Sequence, residues 1–272
     1  MPEVHANGVK LHVQRLRPRR PVPVATVVFV HGLVIDNLSS FYYTLAAPVV
    51  DAGAEAILYD LRGHGRSERP PTGYGLDDGV ADLDGLLDAI GVRHPVYLLG
   101  NSFGAILATR MAIVHPERVA GLILVEGQCV TEGDAAWVED MANSLTVGAL
   151  GLERQPLPRV GRASHRKFAK FVHHCDALLN GTTLIDDLAL TPAIPARMLE
   201  SLECPVLAAY GERSELIGAV DVLRRHVSNL TVEIFPGLAH TILADGTDDL
   251  RDLVLGWIDQ VAAPELAHAA VG

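Results

Sequence analysis

Gly100-Asn101-Ser102-Phe103-Gly104 sets a serine between two glycines. The apolar run Val96-Tyr97-Leu98-Leu99 precedes it and reads as a buried strand. Phe103 to His115 follows with no proline until Pro116, and Ile106, Leu107, Met111 and Val114 recur at helical spacing. A serine on so sharp a strand-to-helix turn, with glycines that let the backbones pack closely, has the setting of a nucleophile elbow. An alcohol is a poor nucleophile at neutral pH, so it needs a neighbouring base. The bland reading of Ser102 is an N-cap for the helix that follows. Other chemistry-bearing segments also come directly after apolar runs: Val30-His31-Gly32-Leu33, Asp60-Leu61-Arg62-Gly63-His64-Gly65-Arg66-Ser67, and Gly237-Leu238-Ala239-His240.

The elements that must position these residues follow from periodicity. Asn7-Gly8 is a hairpin signal, and Val9 to Leu16 alternates as an edge strand would. Ala25 to Val30 is β-branched and apolar, the pattern of a strand covered on both faces. Strands are also expected at Ala54 to Tyr59, Gly121 to Val125, Val206 to Tyr210 and Thr231 to Phe235. Between them, Ser39 or Ser40 can cap a helix running to Asp51 and stopped by Gly53. Asp77 can cap another, with Val80, Leu83, Leu87 and Ile90 on one face. Helices from about Leu216 to Val227 and Thr247 to Val261 close the pattern. Alternation of this kind implies an α/β fold, a mostly parallel central sheet with helices on both faces. The segment from Gly127 to Glu203 is far longer than a normal crossover. It reads as a helical cap over residues 127–203, inserted into a core made of 1–126 and 204–272.

The totals exclude some functions. A formal charge of −11 and a pI near 5.5 argue against nucleic acid as a partner. The three cysteines, Cys129, Cys175 and Cys204, form no disulfide framework or metal spacing, and reduced, buried thiols are the expectation. The N-terminus lacks the build of a signal peptide, and no apolar run reaches the ~20 residues of a membrane span. A soluble, cytoplasmic protein is therefore expected. The twelve histidines show no H-E-x-x-H or similar spacing, so neither metal nor cofactor is expected.

Taken in chain order over about residues 5 to 262, these motifs resemble the α/β-hydrolase superfamily. The likeness is to small capped serine enzymes such as esterases, meta-cleavage C–C hydrolases and cofactor-free haloperoxidases. The resemblance implies Ser102 as nucleophile and His240 as its base. It implies an oxyanion hole from the backbone N–H of Phe103 and of Leu33, with Val34 as an open alternative to Leu33. His31 is read as a turn-shaping residue, and His64 is given no chemistry. A serine at the elbow departs from the haloalkane dehalogenases and epoxide hydrolases of this fold, which need a carboxylate there.

The acid departs from the common pattern. Where the family usually writes Gly-x-x-Asp, this chain has Gly211-Glu212-Arg213-Ser214. Some members carry the acid one strand earlier, and Glu126 stands at that position, just after the run Gly121 to Val125. Glu126 is the favoured acid; Glu215 and a Ser–His dyad with no acid are the alternatives. Structurally, Glu126 could instead pair with an arginine of the cap.

The cap is expected to choose the substrate. Trp137 and Met141 are candidates to line an apolar pocket. Ser164 to Leu179 reads as an amphipathic helix, and Arg154 to Lys170 is basic, either as a solvated face or to attract an anionic or carrier-linked substrate. The expected partner is a small molecule, with no membrane, and the chain is a monomer or homodimer. The expected reaction is hydrolysis of an ester, lactone or thioester through an acyl-enzyme. The rivals are a non-hydrolytic lyase or cyclase using the same Ser–His pair, and a ligand-binding protein with weak turnover.

Overall fold

A computed structural model describes residues 3–128, 172–192 and 194–269. Among the described residues, eight strands form one sheet in the order β1-β2-β4-β3-β5-β6-β7-β8. They are β1 (Glu3–Ala6), β2 (Val9–Leu16), β3 (Thr26–Val30), β4 (Glu55–Tyr59), β5 (Val96–Asn101), β6 (Val119–Val125), β7 (Val206–Gly211) and β8 (Leu230–Phe235). The β1–β2 and β2–β4 pairs are antiparallel, and every later pair is parallel. Asn7 and Gly8 both take positive φ and turn the hairpin. The hairpin puts β1 at the edge, so β2, read as an edge strand, is flanked on both sides.

The parallel strands β3 to β7 are buried on both faces, while the edge strand β8 exposes Thr231 and Glu233, and strand alternation sorts the side chains between two cores. Val28, Val30, Leu98, Leu122, Leu124 and Ala208 pack on one side, with the helices Leu76–Ala89 and Phe103–Val114. Val27, Phe29, Leu99, Ile123, Val125 and Leu207 pack on the other. That second face is covered by the helical stretch from Ser39 to Asp51 and by the helix Thr247–Ala269. Among the described residues, no helix is long and apolar enough to cross a membrane.

Some helix starts differ from the sequence reading. Neither Ser39 nor Ser40 caps its helix: Leu38 holds the cap position, and the Asn37 side chain accepts the Ser39 N–H at 3.0 Å. The same stretch widens to a π-helix over Tyr42–Ala46. Asp77 lies inside its helix; Gly75 is the cap residue, and its N–H donates to Asp78 Oδ2 at 3.2 Å. The helix expected from Leu216 is confined to Ala219–His226, because Ser214 to Gly218 form tight turns first.

Of residues 127–203, the described part docks on the core. A helix over 172–179 buries Cys175 and Leu178, and Leu184, Leu188 and Ile194 join the same cluster. Asp187 Oδ2 accepts the N–H groups of Gly73 and Tyr74 at 2.9 and 2.8 Å. Arg69 donates to His174 Nδ1 at 2.7 Å. Trp137, Met141, Cys129 and the basic residues Arg154 to Lys170 lie outside the described residues.

Candidate active site

Parallel strands of one sheet deliver their carboxyl ends to one edge, and the candidate residues collect there. Ser102 follows β5, Glu126 follows β6, Gly211 ends β7, and His240 lies on the loop after β8. Ser102 holds φ 54° and ψ −118°, outside the regions ordinary residues favour. Its N–H donates to Val125 O at 2.9 Å, tying the elbow to the neighbouring strand. Ser102 occupies the N-cap position of the helix Phe103–Val114, yet its side chain makes no capping bond. The hydroxyl is not used for capping, so the bland reading loses its ground.

The glycines around the serine are there for contact. A Cβ on Gly104 would lie 2.0 Å from Val30 O, and one on Gly100 would lie 2.3 Å from Gly104 O. The helix start therefore presses directly against two strand backbones.

Opposite Ser102 runs the turn after β3. Gly32 N–H donates to Asp36 Oδ2 and Val34 N–H to His64 Nε2, each at 2.8 Å. Leu33 N–H, between them, has no acceptor among the described residues. The Phe103 N–H heads its helix, where no preceding turn can accept it. The Val34 N–H, the alternative donor, is thus already engaged by His64. Val34 is also held at φ 60°, an outlying value for a β-branched residue. Among the described residues, the non-glycine positions at positive φ other than Asn7 are Val34, Ser102 and Glu126, all at this edge. Strain of this kind gathers at functional sites.

Two buried histidines brace the turn. His31 donates from Nδ1 to Gly32 O at 2.6 Å and accepts the Leu61 N–H at Nε2 at 2.9 Å. His64 does the same between Arg62 O and the Val34 N–H, both at 2.8 Å. Each imidazole is fixed as the neutral Nδ1–H form, with no nitrogen left for chemistry. Burial pushes the His31 pKa below its ordinary value, against the raising pull of Asp36, the Gly32 carbonyl and Asp60. Burial also pushes His64 down to about 3, with the neighbouring His31 adding to the effect. His64, which the sequence left without a role, holds the turn in place.

The acid region differs from the common pattern in a specific way. Glu126 is 1% exposed, at φ 51°. Its Oε1 accepts the Gly211 N–H at 2.7 Å, and its Oε2 accepts the Ser214 hydroxyl at 2.5 Å. The same Oε2 lies 3.5 Å from His240 Nδ1, while Glu215 Oε1 lies 3.6 Å away on an exposed side chain. These are ion-pair distances, and His240 Nδ1 is buried without a well-formed hydrogen bond. Burial lowers the His240 pKa, but Glu126 and, to a lesser degree, Glu215 more than reverse this, so the net shift is upward. No described arginine pairs with Glu126. Ser102 and His240 share the edge, but no hydrogen bond joins them among the described residues.

The loop carrying His240 is fastened to β7. Arg213 N–H donates to Leu238 O at 2.8 Å, and Gly237 N–H to Glu212 Oε2 at 2.8 Å. Gly211 permits the approach, since a Cβ there would lie 2.5 Å from both Leu238 O and Ala239 O. Sequence reasoning missed Ser214 as a partner of the acid and Asp36 as the anchor of the Gly32 turn. Position 214 was visible only as a missing carboxylate; for Asp36, the cue was an acidic residue four places after a glycine.

A cavity of about 20 Å³ lies behind Leu33 and Phe103, walled by Leu61, Tyr74 and the Arg62–Asp82 ion pair. It is the size of a water molecule, too small for a substrate. Among the described residues there is no cluster able to hold a metal ion.

The family described as the alpha/beta hydrolase fold matches residues 25–146. A non-heme chloroperoxidase of Streptomyces lividans is 23% identical across 93% of this chain and 97% of its own length. A 2-hydroxymuconate semialdehyde hydrolase of a Pseudomonas species is 40% identical, over 41% of each chain. Among solved structures, the enol-lactonase of Burkholderia xenovorans superposes with a TM-score of 0.72 at 20% identity, covering 94% of this chain and 99% of that one. The sheet order, the elbow and these likenesses together give this chain the α/β-hydrolase fold.

Proposed function

We propose that this protein is a serine hydrolase that cleaves an ester, lactone or thioester of a small, mostly apolar molecule through an acyl-enzyme. The reading rests above all on one observation: the uncapped Ser102 hydroxyl on its strained elbow shares a sheet edge with a His240–Glu126 pair. Ser102 Oγ attacks the carbonyl carbon as its proton passes to His240 Nε2. The N–H groups of Leu33 and Phe103 meet the negative oxygen of the tetrahedral intermediate. Glu126 orients the imidazole through Nδ1 and stabilises it when charged. His240 then gives its proton to the departing oxygen or sulfur. In the second half, His240 takes a proton from water, hydroxide adds to the acyl carbon, and Ser102 recovers its proton as the acid leaves.

The open Ser102–His240 pair is compatible with this sequence, because catalytic hydrogen bonds commonly tighten only with substrate in place. Glu126 beside His240 supports the hydrolytic reading over a non-hydrolytic one, because it offers a carboxylate where position 214 has none. We assign residues 127–203 to a cap over this edge. The contacts of Asp187 with Gly73 and Tyr74, and of Leu178 with the core, support that assignment. The enol-lactonase and semialdehyde hydrolase likenesses favour a small carbonyl substrate.

The test combines fluorophosphonate labelling with turnover of a nitrophenyl ester. Label on Ser102, and loss of both label and turnover in Ser102→Ala, are expected. Turnover that survives Ser102→Ala would refute the acyl-enzyme.

A further inference from the structure

The hydroxyl of Ser214 has a single proton, and its surroundings decide where it goes. Ser214 is 3% exposed, so an unmade bond there could not be replaced by bulk water. Its Oγ accepts the Leu216 N–H at 3.2 Å, and the proton is donated to Glu126 Oε2 at 2.5 Å. The other carboxylate oxygen is held by Gly211 N–H. Oε2 is also the oxygen that faces His240 Nδ1, at 3.5 Å. Two donors therefore compete for one oxygen. Ser214 has the short bond, and the imidazole sits at the long limit of hydrogen bonding, without a well-formed bond.

We propose that Ser214 is a positioning residue that pins the Glu126 carboxylate and limits how strongly it couples to His240. The inference rests on the reading of Glu126 as the acid. It also accounts for the side chain at position 214: a carboxylate there would meet Glu126 Oε2 at the distance now filled by a hydrogen bond. Two like charges that close cannot both stay ionised. The acid at 126 and the hydroxyl at 214 thus form a matched set.

Among the described residues, the charged groups facing His240 are Glu126, at the end of β6, and Glu215, after β7. Removing the Ser214 hydroxyl frees Oε2 to bond Nδ1–H directly, so the imidazolium should persist to higher pH. The test is the pH profile of kcat/KM for a nitrophenyl ester. In Ser214→Ala the His240 limb should move up by about half to one pH unit, within the range that hydrogen bonding to a charged form commonly produces. Ser214→Thr keeps the donor and should restore the original limb. Ser214→Cys, a weaker donor of similar size, should give an intermediate shift and serves if the alanine variant does not fold. A limb that stays in place or moves down in the alanine and cysteine variants would overturn the proposal. Glu126→Gln separates the two failures. If it leaves activity intact, the reading of the acid fails. If it abolishes activity while Ser214→Ala leaves the limb in place, only the present inference fails.

Discussion

Glu126→Gln probes the site most sharply, because the hydrogen bonds around the carboxylate dictate how an amide must sit. Gly211 N–H donates to Oε1 at 2.7 Å. A glutamine must therefore keep its carbonyl oxygen there, since an NH₂ group would face another donor. The NH₂ then falls at the Oε2 position, 3.5 Å from His240 Nδ1, and the Ser214 hydroxyl can turn to accept from it. An amide facing Nδ1 favours the tautomer protonated at Nε2, the wrong one for taking a proton from Ser102. Charge loss acts in the same direction. At 3.5 Å a unit pair interacts by about 1 kcal/mol in water and by roughly 4–5 kcal/mol at an effective dielectric near 20. Since one pKa unit is about 1.4 kcal/mol, the His240 limb should fall by about one to three units. Together these effects should lower kcat/KM by about 10²–10⁴-fold. The assay is hydrolysis of a nitrophenyl ester between about pH 5 and 9, where the limb reports the free enzyme's base. A loss under about tenfold, with the limb unmoved, would refute the assignment of Glu126.

Other outcomes follow from the same geometry. Glu215 faces His240 at a similar distance but is largely exposed, so Glu215→Gln should change kcat/KM by less than about threefold, a loss that high salt would mask in the parent enzyme. A hundredfold loss would instead make Glu215 the acid. In Gly104→Ala the new methyl would strike Val30 O and His31 O, and overpacking against backbone should destabilise by about 3 kcal/mol, a drop of about 6–12 °C in Tm. A Tm within a degree or so of the parent would show that the elbow can yield. Stability should also fall in mild acid. The pKa values of His31 and His64 are depressed in the folded state, so their contribution is fully present above the unfolded value of 6.5 and is lost as pH falls toward about 3 for His64. Between pH 6.5 and 5, His64 should remove about 2 kcal/mol and His31 acts in the same direction, with His240, whose shift is upward, working the other way. Urea midpoints at the two pH values measure this, and equal midpoints would refute it.

Much of this architecture was legible in the chain itself. Val9–Leu16 was read residue for residue, and the runs for β3 to β8 were each found to within two residues at either end, because β3 to β7, buried on both faces, must be largely apolar and the half-exposed β8 alternates. Ser102 between Gly100 and Gly104 was equally plain, since only glycine allows the contacts with Val30 O and Gly104 O. Helix starts were less legible. Ser39, Ser40 and Asp77 have the chemistry of caps, but Asn37 and Asp78 reach those N–H groups instead. The partners of the acid were beyond sequence reasoning altogether. Glu126, Gly211, Ser214 and His240 come from three successive strand ends and meet through hydrogen bonds of 2.5–2.7 Å and an ion-pair contact of 3.5 Å. Local periodicity decides which segments become strands and helices. Register between distant strands decides which side chains share a proton, and only the folded sheet contains that information.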